Sequence, residues 1–278
     1  MKFMKMHGCG NDYVYVNGFE ETVYDRGLTA KLLSDRHFGI GSDGMIFIDP
    51  SEIADFKMDM YNADGSRGKM CGNGIRCVGK FVYDHGMTDK TVITVETLGG
   101  IKTLTLTVRD GKVASVRVCM GSPDFTSVNI PVLCHKEEAV EIPVILQGDT
   151  YTATCVSMGN PHAVIFVEDV DSVELSEIGP LFENHPMFPE RINTEFVQVL
   201  ENGDLKMRVW ERGSGETLAC GTGTCAAVAA AVRTGKTPRA ANVYVRGGVL
   251  FIEWDPEDEK IYMTGPAETV FEGEISLN

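Results

Sequence analysis

One short pattern occurs twice in this chain at a fixed spacing, and this repeat limits the folds that the chain can adopt. The first copy, YNADGSRGKMCGNG, runs from Tyr61 to Gly74, and the second, WERGSGETLACGTG, runs from Trp210 to Gly223. Aligned without a gap, Cys71 falls on Cys220, an offset of 220 − 71 = 149 residues. Each copy places a cysteine directly before Gly-x-Gly and ahead of an apolar run. The pattern predicts one thiol in each half of the chain, at the N-terminus of a helix.

Other landmarks keep the same register. The turn Gly159-Asn160 follows Gly10-Asn11 by 160 − 11 = 149 residues, and KMRVW follows KMDMY by 206 − 57 = 149 residues. Asn193 aligns with Gly44 in the same register, since 193 − 44 is again 149. Chance similarity would rarely hold one register over such a length, so the sequence predicts a duplicated domain.

A cluster of turn residues, GSP at 121–123, separates the two copies. A chain of 278 residues is also longer than the usual single domain. We therefore expect an N-terminal lobe of residues 1–121, to which the tail 266–278 returns, and a C-terminal lobe of residues 122–265.

The apolar runs predict how the helices are placed. Cys225 to Val232, CAAVAAAV, is apolar on every face, which indicates a helix that is buried all round. Because alanine makes such a helix thin, we expect it to be threaded through a surrounding sheet. A further helix is predicted from Leu28 to His37, with Thr29 as its N-cap. Short strand-like runs fill both halves and complete an α+β pattern.

Composition excludes several kinds of partner and site. A formal net charge of −15 argues against nucleic acid and against an anionic membrane surface. No apolar run approaches the roughly 20 residues that span a bilayer, and no secretion signal is present, so a cytoplasmic location is expected. The eight cysteines are then expected to be reduced. No clustered Cys/His ligand set appears, so no metal site is predicted.

A cysteine at a helix N-terminus has a specific chemistry. The free N–H groups and the positive end of the helix dipole favour the thiolate, and they also hold carboxylates. Two such lobes would place one sulfur on each side of one α-carbon. One thiolate would remove a proton while the opposite thiol donates another, which inverts configuration. A buried apolar role is the common alternative for a lone cysteine, and we expect it for Cys77 and Cys225 within the helices.

The motifs also carry a resemblance. In chain order they read HGCGND, GIGSDG, YNADGS, CGNGIRC, GNPH, NTEF, WERGSGET and ACGTG. Through this series the sequence resembles the diaminopimelate epimerase family over essentially its whole length. The resemblance implies an α+β fold of two pseudo-symmetric lobes, each a curved, mostly antiparallel sheet or barrel around a central helix, with the site in the cleft between them. It implies interconversion of LL- and meso-2,6-diaminopimelate without pyridoxal phosphate, metal or other cofactors, on the route to lysine and peptidoglycan.

The resemblance further implies the roles of individual residues. Cys71 and Cys220 match the family's catalytic thiols, and His162 and Glu211 match polar neighbours that assist proton movement. The positions that match substrate-binding residues are Asn11, Asn62, Gly72, Asn73, Asn160, Asn193, Glu211, Arg212, Gly221 and Thr222. Gly44 is a departure, because some members of the family carry a substrate-binding glutamine there. A neighbouring group or a water must then replace that side chain.

Three other functions remain open at this point. A proline-type racemase also uses paired cysteines, although the asparagine set and Arg212 imply a substrate with a second charged end. A thiol redox switch would use Cys71 and Cys220 as a couple. A non-catalytic amino-acid-binding protein would need neither thiol. The expected partner is a small amino acid, and the sequence leaves a homodimer open.

Overall fold

The chain divides into two compact units, each of which carries one copy of the repeat. A computed structural model describes residues 1–277. One unit comprises Met1–Val118 together with the chain from Thr264 onward, and the other comprises Cys119–Met263. We call them the N-terminal and the C-terminal unit. The domain boundaries expected after residues 121 and 265 stay a prediction.

Short strands make up most of the regular secondary structure of both units. In chain order, the strands are β1 (Lys2–Gly8), β2 (Asn11–Asn17), β3 (Gly44–Asp49), β4 (Phe56–Asn62), β5 (Arg67–Gly68), β6 (Val92–Thr97), β7 (Gly100–Arg109), β8 (Lys112–Gly121), β9 (Ile142–Leu146), β10 (Asp149–Ser157), β11 (Pro161–Phe166), β12 (Asn193–Val199), β13 (Leu205–Glu211), β14 (Gly215–Glu216), β15 (Ala240–Val245), β16 (Gly248–Trp254), β17 (Ile261–Gly265) and β18 (Glu268–Glu274). The helices are α1 (Arg26–Leu33), α2 (Gly72–Asp84), α3 (Leu175–Glu183) and α4 (Gly221–Arg233). Among residues 1–277, none of the helices has both the length and the apolar character that crossing a bilayer requires.

In the N-terminal unit, a mostly antiparallel sheet covers the central helix α2. Strand β1 pairs antiparallel with both β18 and β2, and the pairs β3–β4, β6–β7 and β7–β8 are antiparallel as well. Parallel pairing joins β2 to β3 and β4 to β6. Helix α2 contacts β1, β2 and β7, and its residues from Gly72 to Gly79 are buried.

The C-terminal unit has the same arrangement around α4. The pairs β9–β10, β10–β11, β12–β13 and β15–β16 are antiparallel, while β11–β12 and β13–β15 are parallel. Helix α4 contacts strands on several sides, namely β10, β11, β12, β13, β15 and β16. Every residue from Thr224 to Ala231 is buried. The predicted alanine helix inside a sheet is confirmed, and with it the α+β fold.

The duplication is visible in strand register. Tyr13 pairs with Gly44 between β2 and β3, and His162 pairs with Asn193 between β11 and β12. Tyr13 and His162 are 162 − 13 = 149 residues apart in the sequence, and Gly44 and Asn193 are likewise 193 − 44 = 149 residues apart. The two units therefore place equivalent residues at equivalent points of their sheets.

The expected bounds of α1 are wrong. The sequence predicted a helix from Leu28 to His37 capped by Thr29, whereas the helix spans Arg26–Leu33. The carboxylate of Asp25 caps it by accepting a hydrogen bond of 2.9 Å from the N–H of Leu28. Asp25 accepts three residues ahead, as N-caps do, and this starts the helix earlier than the apolar periodicity indicates.

Candidate active site

In the N-terminal unit, Cys71 is the N-cap of α2. Its backbone is extended, with φ −130° and ψ 119°, and the N–H of Gly74 donates to its sulfur at 3.3 Å. A Cβ on Gly74 would lie 2.7 Å from Cδ1 of Ile46. Glycine is therefore needed three residues after the cysteine, because it lets the end of the helix approach β3.

The Cys71 thiol is held by the side-chain amide of Asn11. The thiol donates to Oδ1 of Asn11 at 3.1 Å, and Nδ2 of Asn11 donates to Asp43 at 2.7 Å. Asp43 also accepts from the N–H of Asp12 at 3.1 Å and from Arg36 at 3.0 Å. Because a carboxylate only accepts hydrogen bonds, Asp43 fixes which end of the Asn11 amide faces the thiol. Sequence reasoning missed Asp43, although the residue lies within the GIGSDG motif.

The other predicted residues of this unit lie around the start of α2 and the end of β4. Gly72 opens α2 and Asn73 follows it, both buried. Asn62 ends β4, and its amide donates to Oγ of Ser66 at 3.0 Å. Asn11, Gly72 and Asn73 therefore lie near Cys71 or beside it in the chain, whereas the Asn62 amide is bound to its own turn.

Gly44 lies where a side chain does not fit. It pairs with Asn62 across β3 and β4. A Cβ at this position would lie 2.1 Å from the carbonyl oxygen of Tyr61 and 2.9 Å from Cε1 of Tyr13. In this chain, glycine at 44 therefore lets the two strands approach closely, in addition to removing a side chain.

In the C-terminal unit, Cys220 reproduces the backbone geometry of Cys71. It is the N-cap of α4, with φ −109° and ψ 111°, and the N–H of Gly223 donates to its sulfur at 3.3 Å. The Thr222 hydroxyl lies 3.5 Å from the same sulfur. Cys220 is more deeply buried than Cys71, with 6% of its surface exposed. Both predicted thiols thus meet backbone N–H groups at a helix N-terminus.

A chain of hydrogen bonds leads from Thr222 into the interior. Nδ2 of Asn160 donates to the Thr222 hydroxyl at 3.3 Å, and Oδ1 of Asn160 lies 3.1 Å from Nε2 of His162. Nδ1 of His162 lies 2.7 Å from a carboxylate oxygen of Glu195, and both side chains are fully buried. The structure thus brings Thr222, Asn160 and His162 together with Cys220. Sequence reasoning missed Glu195, because nothing in the NTEF motif marks one residue of a strand as buried beside a histidine.

Asn193 and Arg212 support the loops of this unit. Asn193 donates to the carbonyl of Pro161 at 2.8 Å and accepts from the N–H of Arg212 at 2.9 Å. The Arg212 guanidinium donates to the carbonyl of Glu190 at 2.9 Å. Glu211 is beside Arg212 at the end of β13 and accepts a short hydrogen bond from the Thr217 hydroxyl. Asn193 therefore holds the backbone at both ends of this part of the site.

The expected lowering of thiol pKa is wrong for Cys220. Burial raises the pKa of Cys220 well above its ordinary value, and the negative charges of Glu211 and Glu195 raise it further. Hydrogen bonds from Thr222 and the N–H of Gly223 lower it, but they do not outweigh these effects. Burial also raises the pKa of Glu211. Cys220 is therefore a protonated thiol at neutral pH in the absence of substrate.

Replacing Glu211 by glutamine is expected to make Cys220 more reactive at a given pH. Removal of the neighbouring negative charge lowers the raised pKa of Cys220, so its thiolate forms at lower pH. Below that pKa, alkylation by iodoacetamide speeds up about tenfold for each unit by which the pKa falls. Peptide mass spectrometry of the Cys220 peptide against pH measures this shift.

Glu183→Gln is the matched control, because Glu183 is also a buried carboxylate of this unit and is bound by Arg191, Trp210 and Gly213. It is expected to leave the alkylation profile of Cys220 in place. An unchanged profile in Glu211→Gln would contradict the electrostatic role of Glu211.

Comparison with known proteins places the chain in a family. The family described as diaminopimelate epimerase matches residues 3–126 and 154–270. The diaminopimelate epimerase of Acetivibrio thermocellus is 60% identical over 100% of this chain and 99% of its own length. That of Methanococcus maripaludis is 55% identical over 100% of both chains.

Solved structures share the fold at much lower identity. A hydroxyproline epimerase from Agrobacterium vitis matches with a TM-score of 0.70 at 16% identity, over 99% of this chain and 90% of that chain. A phenazine biosynthesis protein from Bacillus anthracis matches with a TM-score of 0.70 at 17% identity, over 100% of this chain and 99% of that chain. At this identity the likeness concerns the fold alone. Together with the full-length relatives, however, the paired helix-capping cysteines lead to one conclusion: the chain belongs to the diaminopimelate epimerase family.

Proposed function

We propose that this protein is a diaminopimelate epimerase, which interconverts LL- and meso-2,6-diaminopimelate with Cys71 and Cys220 as the two acid-base groups and without a cofactor. The observation that carries the proposal is the repeated N-cap thiol. Each sulfur accepts the N–H three residues ahead at 3.3 Å, from Gly74 in one unit and from Gly223 in the other. Full-length relatives at 60% and 55% identity are named for this activity.

In the proposed reaction, one thiolate removes the α-proton and the other thiol protonates the opposite face of the same carbon. The raised pKa of Cys220 keeps its proton in the resting enzyme, so Cys220 is the donor in the first turnover. Cys71 is less buried, so its deprotonation costs less desolvation. After one inversion Cys71 holds the former α-proton and Cys220 has given its own proton to the carbon, and the reverse reaction restores the starting state.

The substrate carboxylate next to the reacting carbon is expected to bind at the helix N-termini. The N–H groups of Gly72 and Asn73, and those of Gly221 and Thr222, are at the first positions of α2 and α4, and such helix N-termini bind anions. They would stabilise the negative charge that develops as the α-proton leaves.

The remaining substrate-binding residues of the proposal are Asn11, Asn62, Asn160, Asn193 and Arg212. His162 and Glu211 are proposed to assist proton movement at the thiols. A cytoplasmic location and a homodimeric state belong to the same proposal.

A deuterium experiment tests the function directly. Reduced enzyme is incubated with LL-diaminopimelate in deuterated water, and α-deuterium incorporation is followed by NMR together with formation of the meso isomer. The proposal expects one α-deuterium for each inversion, because the donating thiol exchanges with solvent. A binding protein or a redox switch would leave the α-proton in place, and fully reduced protein that incorporates no deuterium would overturn the proposal.

A further inference from the structure

The proposed reaction assigns no proton transfer to the buried carboxylate of Glu195. We propose that Glu195 is a positioning residue, whose carboxylate holds the Nδ1 proton of His162 and so leaves Nε2 as the nitrogen at which a proton moves. This inference rests on the proposed function for its kinetic consequences, but the state of the ring can be measured without substrate.

The direction of the hydrogen bond follows from the charge of the carboxylate. Nδ1 of His162 lies 2.7 Å from Oε1 of Glu195, and neither side chain is exposed to solvent. An ionised carboxylate accepts hydrogen bonds and donates none. Nδ1 must therefore carry the proton, which sets both the tautomer and the orientation of the ring.

His162 is the only hydrogen-bond partner of the Glu195 side chain among residues 1–277. Its other oxygen, Oε2, is buried and makes no hydrogen bond to any described residue. A carboxylate that served to support the backbone would be expected to accept from several N–H groups. A buried carboxylate with a single partner is costly for the fold, so its function lies in that partner.

The surrounding structure makes room for this carboxylate. A Cβ on Gly223 would lie 2.6 Å from Oε1 of Glu195, so the glycine three residues after Cys220 lets the carboxylate pack beneath the start of α4. The equivalent position in the N-terminal unit is Ile46, since 195 − 149 = 46, and its Cδ1 packs against Gly74 in the same way. The same scaffold position thus accepts an isoleucine. Glutamate in the C-terminal unit is a departure that packing does not require.

The His162 ring is coupled to the thiol. Nε2 lies 3.1 Å from Oδ1 of Asn160, an atom that only accepts, so this contact is a hydrogen bond while Nε2 carries a proton in addition to Nδ1. The amide nitrogen of Asn160 donates to Thr222 at 3.3 Å, and the Thr222 hydroxyl lies 3.5 Å from the sulfur of Cys220. A rotated or inverted ring would break this chain at the contact between His162 and Asn160. Glu195 therefore orients the site through His162 and makes no hydrogen bond to Cys220, although its negative charge also raises the pKa of that thiol.

Two variants of Glu195 separate positioning from space filling. Glu195→Gln keeps the shape but adds an amide donor that can face Nδ1 and stabilise the wrong tautomer, whereas Glu195→Asp keeps the acceptor-only charge. In the Gln variant kcat is expected to fall about tenfold to a hundredfold, a loss of the size seen when partners that orient metal-bound histidines are removed. KM should stay within about twofold, because Glu195 does not bind substrate. The Asp variant should keep more activity than the Gln variant. The reverse order, with Gln near wild type and Asp impaired, would show that Glu195 only fills space.

Thr194→Val is the matched control. Thr194 is the neighbour of Glu195 on β12, and its buried hydroxyl makes no hydrogen bond to any described residue. The isosteric valine should leave kcat and the melting temperature near those of wild type. Equal losses in Thr194→Val and Glu195→Gln would assign the effect to disturbance of β12 and overturn the inference.

A measurement without substrate distinguishes this inference from the proposed function. In protein labelled with ¹⁵N-histidine, the His162 resonances are assigned by their loss in His162→Gln. Nδ1 of wild type is expected to resonate as a protonated nitrogen, and Glu195→Gln should reduce its protonated fraction. If the Gln variant does not fold, Gly223→Ala is used instead. This variant retains Glu195 but pushes its carboxylate away from the start of α4, and it should shift the Nδ1 resonance of His162. An unprotonated Nδ1 in wild type overturns the inference whether or not the enzyme epimerises diaminopimelate.

Discussion

Cys71→Ala and Cys220→Ala are each expected to abolish epimerisation, with kcat/KM lower by about 10⁴-fold, the upper end of what one acid-base group contributes. Inversion needs a base on one face of the α-carbon and an acid on the other, so neither thiol can replace its counterpart. Chromatographic separation of the LL and meso isomers measures the rate in both directions.

Cys225→Ala is the control for these two substitutions. Cys225 is buried within α4, beyond Cys220 in the chain, and alanine already occupies much of that helix. This variant should keep kcat/KM within about threefold of wild type, because it removes a sulfur without removing an acid-base group. Normal turnover by either Cys71→Ala or Cys220→Ala would disprove the two-base assignment.

Gly44→Gln is expected to destabilise the protein strongly, although the family resemblance implies glutamine at this position in other members. The Cβ would lie 2.1 Å from the backbone oxygen of Tyr61, so β3 and β4 must separate. Overpacking of this kind costs up to about 3 kcal/mol, which corresponds to a fall in melting temperature of roughly 6–12 °C for a chain of this size. Differential scanning calorimetry measures the change.

Gly111→Gln separates the contact at Gly44 from a general cost of replacing glycine. Gly111 has φ +74°, and a Cβ there would meet nothing within 4 Å. Its replacement should cost only the left-handed backbone conformation, about 1 kcal/mol. A Gly44→Gln variant that melts no lower than Gly111→Gln would show that β3 and β4 accommodate the side chain readily.

The features that the sequence predicted well are those that depend on local pattern. The offset of 149 residues is a property of the alignment of Cys71 with Cys220, and it reappears in strand register because a duplicated chain folds twice in the same way. Likewise, the run of alanines in α4 could only be a helix that is buried on every side. Neither inference required knowledge of distant contacts.

The features that the sequence did not predict depend on what lies opposite a residue in the fold. Glu195 and Asp43 are ordinary acidic residues in the sequence, and only the folded sheet places them against His162 and Asn11. The predicted pKa of Cys220 was wrong for the same reason. The helix N-terminus is a local feature that lowers the pKa, whereas burial and the carboxylates that raise it are tertiary features.

The burial of α4 within the sheet determines at what stage of folding the Cys220 site can form. An isolated run of thirteen residues is a marginal helix in water, and α4 depends on strands from β10 to β16 for its burial. Cys220 can therefore acquire its capped geometry only once strands far apart in the chain have closed around the helix. A partly folded C-terminal unit would contain Cys220, but the N–H of Gly223 would not yet be held against its sulfur. The reactivity of Cys220 therefore reports whether this unit has completed its folding.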